Sequence, residues 1–256
     1  MCQYEKLNNL VKNKRIKIII HLAAQAGVRY SFKNPRIYFK SNLEGFFNIL
    51  EVSRYNKIKH LIYASTSSVY GNSQKFPSSE NDNTDQPLSF YAATKKCNEI
   101  MAYSYSEIYK LKCTGVRFFT VYGPYGRPDM ALYKFSESLI RKKWLNLFNK
   151  GNHTRDFTYI DDVIHFLEKM KNVQQKNNYC IYNLCSSKPI GLMKYLNEIE
   201  KNLQSKAKIK YMNLQKGDVI KTHGDNKKII KRFGKHKFVS VNQGVKKFTS
   251  WFKSYK

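Results

Sequence analysis

The chain has 256 residues and a net charge of +28, from 46 lysines and arginines against 18 acidic residues. That length suits one domain or two closely joined ones, and no apolar run is long enough to span a membrane. The cysteines (Cys2, Cys97, Cys113, Cys180, Cys185) contain no Cys-x-x-Cys pair and the histidines are scattered, which speaks against a disulfide frame or a metal site. The positive charge is spread along the chain, and lysine far outnumbers arginine. Nucleic acid is therefore not expected as a partner, whereas an anionic small substrate is favoured. Residues 1–6 offer no signal-peptide apolar stretch, so a cytoplasmic location is the expectation.

In chain order, residues 17–21 (KIIIH) read as a short buried strand running into the small-residue loop 22–28 (LAAQAGV). Pro35 opens a long helix, with Phe39, Leu43, Phe46, Phe47 and Leu50 expected on one apolar side. A second strand at 60–64 ends in the hydroxyl cluster 64–71 (ASTSSVYG). A polar loop with Pro77 and Pro87 precedes a helix expected to run to about Tyr109, and a third strand follows at 114–119. Strands alternating with helices of this length predict a parallel α/β sheet. From Thr120 the texture changes to a turn-rich loop (121–128), a helix near 132–143, a loop at 149–154 and an extended segment at 155–159. A helix begins at Asp161, where Asp161 and Asp162 are expected as helix-capping structure. A strand at 179–185 and an amphipathic tail helix with Val245, Phe248, Trp251 and Phe252 on its apolar face complete the pattern. The lysine-rich stretch 221–237 is expected to be a solvated surface segment.

Tyr91 and Lys95 are four residues apart, so on a helix they share a face. A lysine ammonium beside a phenol favours the phenolate and lowers a pKa that is ordinarily about 10. With the hydroxyls of Thr66, Ser67 and Ser68 upstream, this is the side-chain set of a nicotinamide-dependent carbonyl/alcohol enzyme with tyrosine as the base.

The segments 21–29 (HLAAQAGVR), 66–71 (TSSVYG), 91–96 (YAATKK), 117–124 (RFFTVYGP), 126–131 (GRPDMA) and 155–162 (RDFTYIDD) together resemble the extended short-chain dehydrogenase/reductase superfamily. Within it the chain is most similar to the nucleotide-sugar epimerases, and among those to the UDP-glucuronate 4-epimerases, over nearly its whole length. The resemblance implies an incomplete Rossmann-type parallel sheet with helices on both faces, plus a smaller α/β substrate domain. The NAD-binding part would be 1–120 and the nucleotide-sugar part 121–256, with about 158–190 returning to the first. The family opens with a strand, a Gly-x-x-Gly-x-x-Gly turn and a helix, and then an acidic residue for the adenosine ribose. None of these occurs in the 256 residues. The expectation is that about 60–80 residues of βαβ structure are missing, that NAD binding is impaired, and that an apolar sheet edge is exposed.

The resemblance also implies roles. Tyr91 takes the proton of the sugar 4-hydroxyl while hydride leaves C4 for NAD. Lys95 lowers the tyrosine pKa and bonds the nicotinamide ribose. Thr66 bonds the same hydroxyl and relays the proton, with Ser68 as a second candidate. Ala23, Ala24 and Gln25 line the cofactor, and Phe118 and Phe119 present backbone near the nicotinamide. Thr120 contacts the sugar and Asp218, after Gly217, belongs to a late substrate loop. Arg155 grips the diphosphate, the alternative being a surface pair with Asp156. Dehydratase and decarboxylase relatives carry a carboxylate beside the catalytic threonine. Ser67 and Ser68 stand there instead, which favours simple epimerisation. Arg127 holds the sugar carboxylate, the alternative being that it anchors its own loop. The implied partners are a UDP-sugar and a second copy of the chain, packed as a four-helix bundle through the helices after Pro35 and around Tyr91. A separate upstream chain could complete the sheet. Competing readings are another nucleotide-sugar epimerase or decarboxylase, and a non-catalytic basic remnant.

Overall fold

The computed structural model describes residues 1–173, 177–215 and 217–255. Helix α1 (Tyr4–Asn13) leads to strand β1 (Ile18–His21) and to α2 (Val28–Lys33). Helix α3 (Pro35–Tyr38) starts at Asn34, whose side chain accepts from the Ile37 N–H, with Pro35 at the first helical position. A π-helical stretch, Phe39–Glu44, joins it to α4 (Gly45–Tyr55). The wide turn changes which residues face inward. Phe46 and Leu50 are buried while Phe39 and Phe47 are exposed, so the expected single apolar side is split. The polar Asn42 is buried in the π-helical stretch instead.

Strand β2 (His60–Thr66) is followed by a 3-10 turn (Ser67–Tyr70) and then by α5 (Phe90–Tyr109). Ser89 caps α5 by accepting from the Ala92 N–H at 3.1 Å, and Lys110, in the left-handed region at φ 53°, ends it. Then come β3 (Cys113–Phe118), β4 (Thr120–Tyr122), α6 (Ala131–Ile140), β5 (Trp144–Phe148), β6 (Thr154–Arg155), β7 (Phe157–Tyr159) and α7 (Ile160–Asn172). The chain closes with β8 (Tyr179–Leu184), β9 (Ile190–Gly191), α8 (Leu192–Leu203), β10 (Lys208–Met212), α9 (Lys227–Phe233) and α10 (Val241–Tyr255). Helices α1 and α8 and strand β10 carry no signal that the sequence reading used.

The main sheet is parallel, in the order β1-β2-β3-β8. Alternate residues of β2 serve its two faces. Leu61 and Tyr63 pack with Phe46, Ile49 and Leu50 of α4 and Ala102 of α5. Ile62 packs on the other face with Phe166, Leu167 and Met170 of α7 and Ile229 and Phe233 of α9. Residues 221–237 are therefore not merely solvated surface: α9 spaces Ile229 and Phe233 four apart, so one turn of a lysine-rich helix enters the core. A further core joins Leu132, Phe135 and Leu139 of α6 to Tyr195, Leu196 and Ile199 of α8 and Val245, Phe248 and Phe252 of α10. Strand β1 lies at the edge of the sheet, and Ile20 and Leu22 are exposed there.

A buried ion pair binds helix α5 to the sheet. Arg117 of β3 donates from Nε and Nη2 to both carboxylate oxygens of Glu99, each at 2.8 Å, and each side chain is 3% exposed. Ser65 donates to Glu99 at 2.6 Å. Arg117 Nη1 donates to the Tyr70 hydroxyl at 3.0 Å, which in turn donates to Asn183 Oδ1 at 2.7 Å. Removing one charge strands the other in the interior. The Glu99→Gln change is expected to cost about 3–5 kcal/mol, read as a lower urea midpoint at unchanged slope. A loss below about 1 kcal/mol would show that the pair does not hold α5 in place.

Candidate active site

Parallel α/β sheets place their ligand crevice at the carboxyl ends of the strands. Here a cleft of about 920 Å³ opens at that end, bordered by Thr66, Ser67, Ser68, Tyr91, Phe118 and Phe119. Residues of β5 line it too, as do Arg127, Arg155 and Asp218. Thr120 also lines it, so every expected substrate residue reaches one cavity.

Thr66 is the last residue of β2, and its hydroxyl accepts from the Ser68 N–H at 3.2 Å, capping the short turn. Gly71 closes that turn at φ +59°, where a Cβ would lie 2.3 Å from the Gln86 carbonyl oxygen. Tyr91, in the first turn of α5, is buried and close enough to Thr66 for that hydroxyl to draw its pKa down, while the Thr66 hydroxyl itself donates to Ser68 Oγ at 3.2 Å. Its ring meets Tyr38 edge-on, with centroids 6.3 Å apart. Burial holds the Tyr91 phenol above its ordinary pKa, against the downward pull of the Thr66 hydroxyl and of the Arg127 charge.

Lys95 does not acidify that phenol as expected. Its ammonium donates to the Ala64 carbonyl at 2.9 Å, and the side chain is 2% exposed. Burial lowers its own pKa to about 8. Sharing a helix face brings two residues to one side but does not choose the partner of a flexible amine. The Lys95 charge is felt instead at His21, which burial first and Lys95 second hold at about 4.

Ala23, Ala24 and Gln25 lie on the loop after β1 and do not border the cleft. Gln25 is clamped by Asn42: its N–H donates to Asn42 Oδ1 at 2.9 Å, and its carbonyl accepts from Asn42 Nδ2 at 3.0 Å. The same amide donates to Thr94 Oγ1 at 3.0 Å, tying the loop to α5. Asn42 was missed in the sequence because it falls within an apparently apolar helix. Ala23 is exposed and Ala24 half-buried. Phe118 lines the cleft, and the 256 residues contain no glycine-rich turn for a pyrophosphate.

Arg127 is engaged with its own loop, donating to both carboxylate oxygens of Asp129 at 2.9 and 2.5 Å. Arg155 does not pair with Asp156. Its Nη1 donates to the carbonyls of Thr154 and Ile220 at 3.0 and 2.9 Å, and burial lowers its pKa to about 10. Asp156 is buried on the other side of the strand, where it accepts from Ser186 Oγ and the Gly224 N–H. Burial pushes its carboxyl upward. Asp218 accepts from Arg29 at 2.9 Å, a pairing across 189 positions that no local pattern reveals. Neither Asp161 nor Asp162 caps α7 through a hydrogen bond. Asp161 pairs with Lys247, and buried Asp162 accepts from His236 and the Val239 N–H, tying that segment down.

The profile of the family described as "NAD dependent epimerase/dehydratase family" matches residues 1–185. An uncharacterised protein of Methanocaldococcus jannaschii is 46% identical over 97% of this chain and 76% of its own length. A probable UDP-glucuronate 4-epimerase of Rhizobium meliloti is 40% identical, over 92% of this chain and 74% of its own length. The crystal structure of UDP-glucuronic acid 4-epimerase from Bacillus cereus, in complex with UDP-glucuronic acid and NAD, is similar at 29% identity. It superposes with a TM-score of 0.91 over 98% of this chain and 79% of that one. A profile match over most of the chain, shared with close relatives along nearly all of it, establishes that this chain belongs to the NAD dependent epimerase/dehydratase family.

Proposed function

We propose that the chain acts as a UDP-sugar 4-epimerase that interconverts UDP-glucuronate and UDP-galacturonate through a 4-keto sugar. The observation that carries this reading is that Tyr91 and Thr66 stand close together on a cleft that Arg127 and Arg155 also line. Support comes from relatives named as UDP-glucuronate 4-epimerases. NAD, when bound, would accept the hydride of C4 and return it to the opposite face of the sugar. Lys95, Phe118 and the loop Ala23, Ala24 and Gln25 would hold it.

The chain's own residues supply the rest. Tyr91 removes the proton of the 4-hydroxyl, and Thr66, close beside it, orients that hydroxyl and passes the proton on. The phenol is held high by burial, so the Arg127 charge is the cation that favours its ionised form in the free protein. Among the described residues Arg155 bonds backbone carbonyls and forms no ion pair, and Asp218 near it also serves Arg29, so charge remains to meet the diphosphate. Ser67 and Ser68 offer no carboxylate for elimination, so the sugar returns to its alcohol. A 4-keto uronate is a β-keto acid and loses CO2 when its carboxylate aligns with the carbonyl. Holding that carboxylate out of alignment is the role assigned to Arg127. Its fork already grips the carboxylate of Asp129, which a sugar carboxylate would replace. The same engaged fork supports a second reading, a neutral UDP-hexose as substrate.

Exposed Phe39 and Phe47 ahead of and on α4, with Ile100, Tyr103 and Ile108 on α5, support a homodimer built through these helices. The open β1 edge leaves room for a further strand beside it. Among the described residues no helix is long and apolar enough to cross a membrane.

The chain, alone and together with the N-terminal part of a relative, is to be incubated with NAD and UDP-glucuronate and the sugars resolved. Tyr91→Phe should lower turnover at least about 100-fold with little change in KM; undiminished turnover would refute the base assignment. Arg127→Ala should raise KM about tenfold more for UDP-glucuronate than for UDP-glucose, and equal effects would favour the neutral-hexose reading. The 256-residue chain purified by itself is expected to release far less than one NAD per molecule on denaturation, and stoichiometric release would contradict that.

A further inference from the structure

His153 borders the cleft and has no role in the chemistry above. Its backbone is fixed on both sides: its N–H donates to the Gly151 carbonyl, and its own carbonyl accepts from the Leu192 N–H, both at 2.8 Å. Alternate residues of an extended segment point to the same side. The imidazole thus shares a side with Arg155, and both line the cleft. The residue is 6% exposed, yet its Nε2 has no hydrogen-bond partner. Gln215, on the same cleft, likewise has an unpartnered Oε1. Buried polar atoms are normally paired, so an orphan beside a cavity calls for a partner from the ligand.

The charges around the ring identify that partner. They are Arg155 on its own strand, Asp218 in the segment after β10, and Arg29 at the start of α2. Asp218 pairs with Arg29 and also acts on Arg155, so two cations share one anion and the group keeps a net positive charge. We propose that the His153 Nε2–H donates to a phosphate oxygen of the nucleoside diphosphate, beside Arg155. This rests on the UDP-sugar reading above and extends its anion-binding wall to a residue outside the motifs that carry the resemblance.

In the free protein, burial first and then Arg155 and Arg29 hold the imidazole below its ordinary pKa, with Asp218 opposing them. A phosphate against the ring acts in the opposite direction and favours the imidazolium. Binding then takes up a proton, and the contribution of His153 grows as the pH falls.

The test is UDP affinity by calorimetry for the wild-type chain, His153→Phe and His153→Gln, with thermal melts to confirm folding. The ionisation of UDP itself is common to all three and cancels in the ratios. Wild type should bind about threefold tighter than His153→Phe at about pH 8, and about tenfold or more tighter at about pH 5.5. His153→Gln keeps an amide donor. It should match wild type at the higher pH and fall behind at the lower, and it carries the test should His153→Phe fail to fold. Ratios near one at both pH values overturn the inference. A ratio that does not grow as the pH falls also overturns it, and places the ring against a neutral group such as a ribose hydroxyl. Failure of the wild-type chain to bind UDP at all would remove the UDP-sugar reading, and this inference with it.

Discussion

The Arg117–Glu99 pair is the constraint on which the site depends. It joins the third strand of the sheet to the helix that carries Tyr91 and Lys95, and through Tyr70 and Asn183 it reaches the turn after β2 and the last strand of the sheet. Tyr91 lies on that helix, and Thr66 ends β2, whose Ser65 donates to the same Glu99. A Thr–Tyr hydroxyl contact works only if strand end and helix start keep their spacing to a fraction of an ångström. Two charge-assisted bonds in a dry interior hold geometry far more tightly than apolar packing alone, at the cost of strong dependence on both partners.

Burial, more than neighbouring charge, sets the proton affinities at the cleft. It raises the Tyr91 phenol, lowers the Lys95 ammonium to about 8 and lowers Arg155 to about 10. Each shift favours the neutral form, as desolvation requires. The cleft is thus an environment in which added charge has large effects. An anionic ligand restores what burial removed from the cations, and a cation near the phenol restores what burial removed from the base. The spread-out surface charge of the chain contributes only a general attraction for anions.

Much of the architecture was legible from periodicity. The three strands at 18–21, 60–66 and 113–118 and the helix over 90–109 follow from apolar runs and caps that act over a few residues. The site clusters were legible too, because Thr66, Tyr91, Arg127 and Arg155 sit in motifs with local order. Other features were not. The π-helical stretch at 39–44 rotates the face of a long helix without any breaker residue to announce it. Helix α9 looks like a charged loop, since only Ile229 and Phe233 among many lysines enter the core.

The amino-acid order by itself determined the parallel α/β class, the family and several of the residues that meet at the cleft, though Ala23, Ala24 and Gln25 do not border it. Those depend on short-range patterns that survive any arrangement of the rest. Only the tertiary structure decided which partner each flexible polar group takes. Lys95 bonds Ala64 and not Tyr91, Arg127 bonds Asp129, Arg155 avoids its neighbour Asp156, and Arg29 finds Asp218 across most of the chain. The physical reason is that a long side chain can reach several acceptors at nearly equal cost, and burial, which depends on elements remote in sequence, selects among them.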